Sequence, residues 1–221
     1  MNTVESRKLI GFPTEKEQWC ESPAVYDEHT LRIAGHPVME DWEKGYMDML
    51  GAIAAGNGGT VLELGYGMGL SAIAIQAHNV KSHCIIECHP DVVQRCVTDF
   101  RPAFDNGNMH LISGFWQDVT PLLASDTFDG ILFDTYPLTE EEIHSNHFWF
   151  FEEAFRLLKK GGVLTYYSDE AHDFSPEHRN KILAAGFKNS DIEFTLCEVQ
   201  PPEDCEYWQE KTILAPIIRK N

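Results

Sequence analysis

The sequence predicts a single α/β domain built around a doubly wound, mostly parallel sheet. Short apolar runs alternate with helical patterns, and a glycine-rich turn follows the first of the central runs. The last two apolar runs follow each other without a helix, which predicts an antiparallel edge strand. The chain has 221 residues, of which 43% are hydrophobic, so it can bury a substantial core. We find no linker and expect residues 1–30 to form an N-terminal arm or lid on a domain of residues 31–221.

The alternation of patterns sets the order of the elements. Predicted strands cover residues 60–64, 83–87, 109–113, 128–134, 163–167, 192–198 and 211–218. Predicted helices cover residues 37–55, 70–77, 90–100, 116–123, 140–158 and 177–185. Pro37 suits a first helical turn, and the glycines at 58–59 and 186 suit helix ends.

Charge and composition exclude several classes of function. The chain carries 17 basic and 35 acidic residues, a net charge of −18 with histidine neutral. Such a chain repels phosphate, so we expect no nucleic-acid partner and no anionic membrane surface. No segment approaches the ~20 apolar residues of a membrane span, and the first residues do not resemble a secretory signal. The six cysteines form no C-x-x-C pair and are expected to be reduced thiols in a cytoplasmic protein.

The glycine-rich turn carries the strongest signal for function. Val61-Leu-Glu-Leu-Gly-Tyr-Gly-Met-Gly69 joins a predicted strand to a predicted helix, the geometry of a Rossmann-like nucleotide site. Leu70 stands where the dinucleotide-binding pattern has its third glycine. Glu63, two residues before Gly65, instead makes the segment similar to the first motif of S-adenosylmethionine-dependent methyltransferases.

Acidic and aromatic residues follow the next predicted strands. Glu87 ends the second strand, where an acid can accept the hydroxyls of a ribose. Trp116 follows the third strand and could either pack on an adenine ring or belong to the core. Asp134 ends the fourth strand, the position where reacting groups lie in open α/β sheets. The carboxyl edge of the sheet is therefore the predicted site.

The sequence as a whole resembles the guanidinoacetate N-methyltransferase family over most of residues 19–218. Two segments are specific to that family rather than generic: Pro37-Val-Met-Glu-Asp-Trp-Glu43 and Phe133-Asp-Thr-Tyr-Pro137. Further matching segments lie at residues 29–36, 46–47, 61–68, 85–88, 114–119, 128–138 (which contains the second specific segment) and 155–166. The resemblance implies S-adenosylmethionine as the cofactor and methyl transfer to a guanidino nitrogen.

The resemblance also implies roles for individual residues. Glu43 and Asp134 would grip the guanidinium, with Asp134 as the general base and Glu43 as the orienting partner. Acceptor contacts would extend to Tyr136, and Tyr26 would belong to the lid. The implied cofactor-binding residues are Trp19, Met39, Met47, Gly65, Gly67, Met68, Gly69, Leu70, Ser71, Glu87, Cys88, Trp116 and Gln117.

The sequence does not decide which molecule accepts the methyl group. Guanidinoacetate, giving creatine, is the first candidate. Another small guanidine or amine such as agmatine is an alternative, as are protein arginine and a non-catalytic binding module. Protein arginine would need an open groove, whereas the predicted lid favours a small, enclosed acceptor. The chain is expected to be a monomer or a homodimer.

The sequence departs from the family after the fifth predicted strand. Asp169 and Glu170 stand where the family has neutral residues whose backbone N–H groups hold the acceptor's carboxylate. These two acids either face the acceptor, which favours a cationic or neutral tail, or face solvent. His144 and His147 are spaced three apart on a predicted helix, but methyl transfer to nitrogen needs no metal, and none is expected.

Overall fold

Ten strands form two sheets in residues 10–13 and 15–221, the part of the chain that the computed structural model describes. The strands are β1 (Ala24–Tyr26), β2 (Thr30–Ile33), β3 (His36–Glu40), β4 (Thr60–Leu64), β5 (Ser82–Glu87), β6 (Met109–Ser113), β7 (Phe128–Phe133), β8 (Leu158–Tyr166), β9 (Ile192–Glu198) and β10 (Thr212–Arg219). The large sheet has the order β6-β5-β4-β7-β8-β10-β9, and the small sheet has the order β1-β2-β3.

The large sheet confirms the predicted fold class. Strands β6, β5, β4, β7 and β8 pair in parallel. Strand β10 is antiparallel to both β8 and the edge strand β9. The chain leaves β4 towards β5 on one side and later returns to β7 on the other. The carboxyl end of β4 is therefore a switch point, where open α/β sheets form their ligand clefts.

Eight α-helices connect these strands in the described residues. They are α1 (Glu17–Glu21), α2 (Lys44–Ala55), α3 (Leu70–Gln76), α4 (Pro90–Asp99), α5 (Arg101–Asp105), α6 (Trp116–Val119), α7 (Phe151–Leu157) and α8 (Pro176–Ala184). Short 3-10 turns cover Asp41–Glu43, Thr120–Leu122, Glu140–Glu142, Asn146–Phe150 and Asn189–Asp191. Helix α5 was not predicted. No helix among the described residues is long and apolar enough to cross a membrane.

The predicted helix from residue 37 begins instead at Lys44. Ala34 and Gly35 both have positive φ, 51° and 82°, which suits the two-residue turn of a hairpin. The hairpin places Pro37 in β3, on the edge of the small sheet and beside a register shift, where a missing N–H is tolerated. The arm of residues 1–30, predicted as irregular, contains α1 and β1; residues 1–9 and Thr14 lie outside the described part.

The long helix predicted over residues 140–158 is also wrong. His144 has a φ of 62°, a left-handed conformation that a right-handed helix cannot include. Two 3-10 turns precede α7 instead, and the chain enters β8 at Leu158. His144 and His147 therefore do not share one helix face.

Helix α2 is fixed to the sheet by one buried hydroxyl. The oxygen of Tyr46 lies 2.8 Å from the carbonyl oxygen of Leu214 and 3.2 Å from that of Tyr166. It also accepts the N–H of Ser168 at 3.3 Å. These contacts join α2 to β10 and to the end of β8. The two strands themselves pair only at residues 163–164 and 218–219. The hydroxyl thus holds the turn after β8 in place.

Replacing Tyr46 by phenylalanine should therefore lower the free energy of unfolding by about 1–3 kcal/mol, because buried polar partners are left unsatisfied. Chemical denaturation checks this, with Trp149→Phe as the control, since Trp149 is 72% exposed. Equal midpoints for Tyr46→Phe and the parent protein would show that the hydroxyl does not stabilise the fold.

Candidate active site

A large cavity lies over the carboxyl ends of β4, β5 and β7 and beneath the N-terminal segment. Its empty volume, counted with the open mouth and the solvent in it, is about 1260 Å³. Of the predicted site residues, those that line it are Trp19, Met39, Glu43, Gly65, Gly67, Glu87, Cys88, Trp116, Gln117, Asp134, Tyr136 and Asp169. The sheet edge predicted from the sequence thus carries the cavity.

The glycine-rich turn forms one wall because its backbone has no room for side chains. Gly65, Gly67 and Gly69 have φ values of 86°, 55° and 78°, which glycine adopts freely. A Cβ atom on Gly65 would lie 1.9 Å from the carbonyl oxygen of Asp134. The turn therefore brings bare backbone up to the cavity beside β7.

Glu87 is fixed at the end of β5 by backbone donors. Its Oε2 accepts the N–H of Tyr66 at 2.9 Å, and its Oε1 accepts the N–H of His89 at 2.8 Å. The residue is 8% exposed, and burial raises the pKa of its carboxyl. Each carboxylate oxygen can accept a further hydrogen bond, so Glu87 suits a pair of sugar hydroxyls.

Several predicted cofactor-binding residues lie outside the cavity lining: Met47, Met68, Gly69, Leu70 and Ser71. Met47 is wholly buried in the core. The hydroxyl of Ser71 donates to Glu63 inside the fold, and the N–H of Met68 contacts the sulfur of Met39 at 3.3 Å. These residues therefore do not meet a ligand in this cavity: Met68 and Gly69 complete the turn, and Met47 and Ser71 pack inside the fold.

Glu43 reaches the cavity from the 3-10 turn that precedes α2. Its Oε1 accepts the hydroxyl of Tyr207 and, at 2.8 Å, the N–H of Glu40. Burial and the negative charge of Asp134 raise the pKa of Glu43 to about 8. Since both contacts fall on Oε1, Oε2 is the oxygen available to a ligand.

Asp134 follows β7 and faces the same cavity. Its N–H donates to the carbonyl of Leu64 at 2.9 Å, which fixes the backbone, while its carboxylate accepts no hydrogen bond from the described residues. Burial and the charges of Glu63 and Asp169 raise the pKa of Asp134 to about 7. Together with Glu43 it offers two unsatisfied acceptors to a cation with several N–H donors.

Two residues of the N-terminal segment, Trp19 and Tyr26, contact the walls of this cavity. Trp19 is 3% exposed and stacks on Tyr136, with ring centroids 5.1 Å apart and planes at 9°. The hydroxyl of Tyr26 donates to the carbonyl of Gly67 at 3.1 Å. The predicted lid residues therefore contact both the glycine turn and the loop after β7.

The two acids after β8 have different surroundings. Asp169 lines the cavity, and its Oδ1 lies 2.9 Å from Nδ1 of His144. Glu170 is absent from the lining. Its Oε1 accepts the N–H of Ser175 at 2.9 Å and lies 3.3 Å from Nδ1 of His178. Of the two, only Asp169 therefore stands where it could meet an acceptor.

Two tyrosines of the site were not predicted. Tyr207 binds Glu43 from the loop between β9 and β10, a long-range contact that no local spacing announces. The hydroxyl of Tyr167 is buried without a hydrogen-bond partner among the described residues, and Tyr167 lines the cavity. Within residues 10–13 and 15–221, no three histidine, cysteine or acidic side chains are grouped to hold a metal.

The raised pKa of Asp134 makes a prediction for stability. Its pKa is near 7 when folded and about 4 when unfolded, so wild-type stability falls as pH rises through this window. Asp134→Asn should therefore raise the free energy of unfolding at pH 8 by on the order of 2 kcal/mol, and the gain should vanish near pH 4. Denaturation at both pH values tests this against the exposed Asp105→Asn; equal effects of the two variants would contradict it.

Comparisons with known proteins agree with this geometry. A family model described as guanidinoacetate N-methyltransferase matches residues 13–221. The chain is 30% identical to protein arginine N-methyltransferase 2 of Saccharomyces cerevisiae, over 62% of this chain and 34% of that protein. It is 32% identical to the protein of that name from Yarrowia lipolytica, over 59% of this chain and 28% of that protein. The chain thus spans about a third of the length of these curated relatives.

Solved structures share the fold. Spermidine synthase from Thermotoga maritima superposes with a TM-score of 0.61 at 16% identity, covering 87% of this chain and 65% of that one. M. jannaschii TYW2 in complex with AdoMet superposes with a TM-score of 0.57 at 13% identity, covering 90% and 86%. The Rossmann-like fold and the family's cofactor, S-adenosylmethionine, are confirmed as predicted. The chain belongs to the guanidinoacetate N-methyltransferase family of S-adenosylmethionine-dependent methyltransferases.

Proposed function

We propose that this chain transfers a methyl group from S-adenosylmethionine to a guanidino nitrogen of a small molecule. The observation that carries the proposal is the pair of carboxylates, Glu43 and Asp134, which face one cavity. Neither a lysine nor an arginine is among the described lining residues, so no cationic side chain of that kind competes for the pair.

A guanidinium suits this pair for geometric reasons. It is planar, and its several N–H groups form a rigid fork that binds carboxylates through paired, charge-assisted hydrogen bonds. Glu43, held by Tyr207 and Glu40, would fix the plane of the fork. Asp134 would then hold the nitrogen that reacts. Such positioning can lower a barrier by roughly 7–11 kcal/mol.

The proton balance also supports Asp134 as the base. The bound cofactor supplies an electrophilic sulfonium methyl. The acceptor nitrogen that takes this methyl group would give up one proton, and the cofactor's sulfur would keep the electron pair of the bond to the methyl carbon. With its pKa raised to about 7, the Asp134 carboxylate takes this proton more readily than an ordinary aspartate at neutral pH.

The cavity walls fit the cofactor. The bare backbone at Gly65 and Gly67 allows the close approach of its methionine part, and Glu87 offers acceptor positions for its ribose hydroxyls. Trp116 and Gln117 line the cavity near β6, where the adenine would lie. Met47, Met68, Gly69, Leu70 and Ser71 act from behind this wall in the proposal.

The acceptor is small in this proposal because the N-terminal segment is held against the cavity. Trp19 stacks on Tyr136 and Tyr26 bonds to Gly67, and closure of this segment over a bound acceptor would exclude water and strengthen the charge pairs. Guanidinoacetate is the reference acceptor, since it defines the family. Arginine in a protein is the second candidate, favoured by the names of the curated relatives.

Product analysis by mass spectrometry tests the proposal. The protein is incubated with S-adenosylmethionine and either small guanidines or arginine-containing peptides. We expect methylated small guanidines and a loss of at least about a hundredfold in turnover for Asp134→Asn, as expected for a lost general base. Asp105→Asn, an exposed change of the same kind, should keep full turnover. Methylation of peptides alone would favour the second candidate, and methylation of neither class would contradict the proposal.

Glu87 provides a separate prediction on cofactor binding. Glu87→Gln removes the negative charge and one acceptor oxygen, so the dissociation constant of S-adenosylhomocysteine should rise about tenfold, as for the loss of a charged hydrogen bond. Titration calorimetry measures this, with Asp134→Asn as the comparison that keeps near wild-type affinity. Unchanged affinity in Glu87→Gln would remove Glu87 from the cofactor site.

A further inference from the structure

The ionisable side chains of the cavity wall are mostly acidic. Five carboxylates line it among the described residues, whereas lysine and arginine are absent from this set. The five are Glu43, Glu87, Asp134, Glu142 and Asp169. His144 is the one histidine in that lining, and its Nδ1 lies 2.9 Å from Asp169. An acceptor with a carboxylate tail would therefore face like charge.

The turn after β8 also offers few backbone donors to an anion. The N–H of Ser168 donates to the hydroxyl of Tyr46 at 3.3 Å, and the N–H of Glu170 donates to the hydroxyl of Ser168 at 3.2 Å. Both N–H groups are thus already bonded inside the fold. Buried polar groups that are already paired give little to a ligand, since a new bond must replace an old one.

Of the five acids, Asp169 is the one that we assign to the tail of an acceptor, with its Oδ1 paired to His144. Glu87 accepts two backbone N–H groups beside the glycine turn, and Glu142 accepts the N–H of Leu138 at 2.8 Å. Glu43 and Asp134 form the pair that would hold the guanidinium. Asp169 lies in the same cavity, close enough that its charge acts on Asp134.

We propose that Asp169 selects acceptors by their tail, and that the preferred acceptor is a small guanidine whose other end carries an ammonium group. This rests on the proposed function. An ammonium group would form a charge-assisted contact with the Asp169 carboxylate, and the buried hydroxyl of Tyr167 would supply a neighbouring polar contact. Carboxylate tails are repelled, and uncharged tails gain neither contact.

The test is a matched series of guanidines that differ in the tail. Agmatine carries an ammonium group, butylguanidine is uncharged, and 4-guanidinobutyrate and guanidinoacetate carry carboxylates. We expect kcat/KM to be highest for agmatine, lower for butylguanidine and lowest for the two guanidines with carboxylate tails. In Asp169→Asn, which keeps an oxygen for His144, the preference for agmatine over butylguanidine should fall about ten- to a hundredfold, mainly through KM, as for a lost charged contact. Asp105→Asn should leave this ratio unchanged.

A second readout does not depend on turnover. Calorimetry with S-adenosylhomocysteine present measures the affinity of agmatine and butylguanidine for the wild type and for Asp169→Asn. Wild-type preference for a carboxylate tail, or an unchanged ratio in Asp169→Asn, overturns the role of Asp169 while guanidine methylation stands. If no guanidine is bound or methylated, the proposed function and this inference both fail.

Discussion

Two carboxylates with like charge face one cavity, and much of the structure serves to keep them there. Glu43 and Asp134 repel each other and lose hydration, so each is held in a state that favours a proton or a bound cation. Neither could stay in place unaided. Tyr207 and the N–H of Glu40 hold Glu43, and the ladder of β7 with β4 holds the backbone of Asp134.

The support extends well beyond the cavity. Tyr46 lies one turn of helix beyond Glu43, and it connects the start of α2 to β10 and to the turn that carries Asp169. Behind the glycine turn, Glu63 accepts a hydrogen bond from the hydroxyl of Ser71. Its Oε2 lies 2.8 Å from Nε2 of His83, and both of these side chains are wholly buried. Groups that would contact ligands thus depend on a buried polar framework that ligands do not touch.

Much of the fold and part of the candidate site could be predicted from the sequence, because local residue patterns determine them. Strands β4 and β6 have the predicted bounds, since apolar runs between turn residues mark them directly. The carboxyl ends of parallel strands meet at one edge, so Glu87 and Asp134 were expected together. The helix predicted to start at Pro37 was wrong because the hairpin turn at Ala34 and Gly35 places Pro37 in a strand. The break at His144 was hidden because its partner, Asp169, lies 25 residues away, and the contact between Tyr207 and Glu43 spans 164 residues.

If Glu43 and Asp134 bind a cationic acceptor as proposed, their raised pKa values give that binding a proton stoichiometry of its own. Near pH 7 the two carboxyl groups are partly protonated. A cation that binds between them would displace these protons. Binding of a cationic acceptor is then coupled to the release of a proton. The heat of binding consequently varies with the ionisation enthalpy of the buffer, and apparent affinity rises with pH until both carboxylates are already bare.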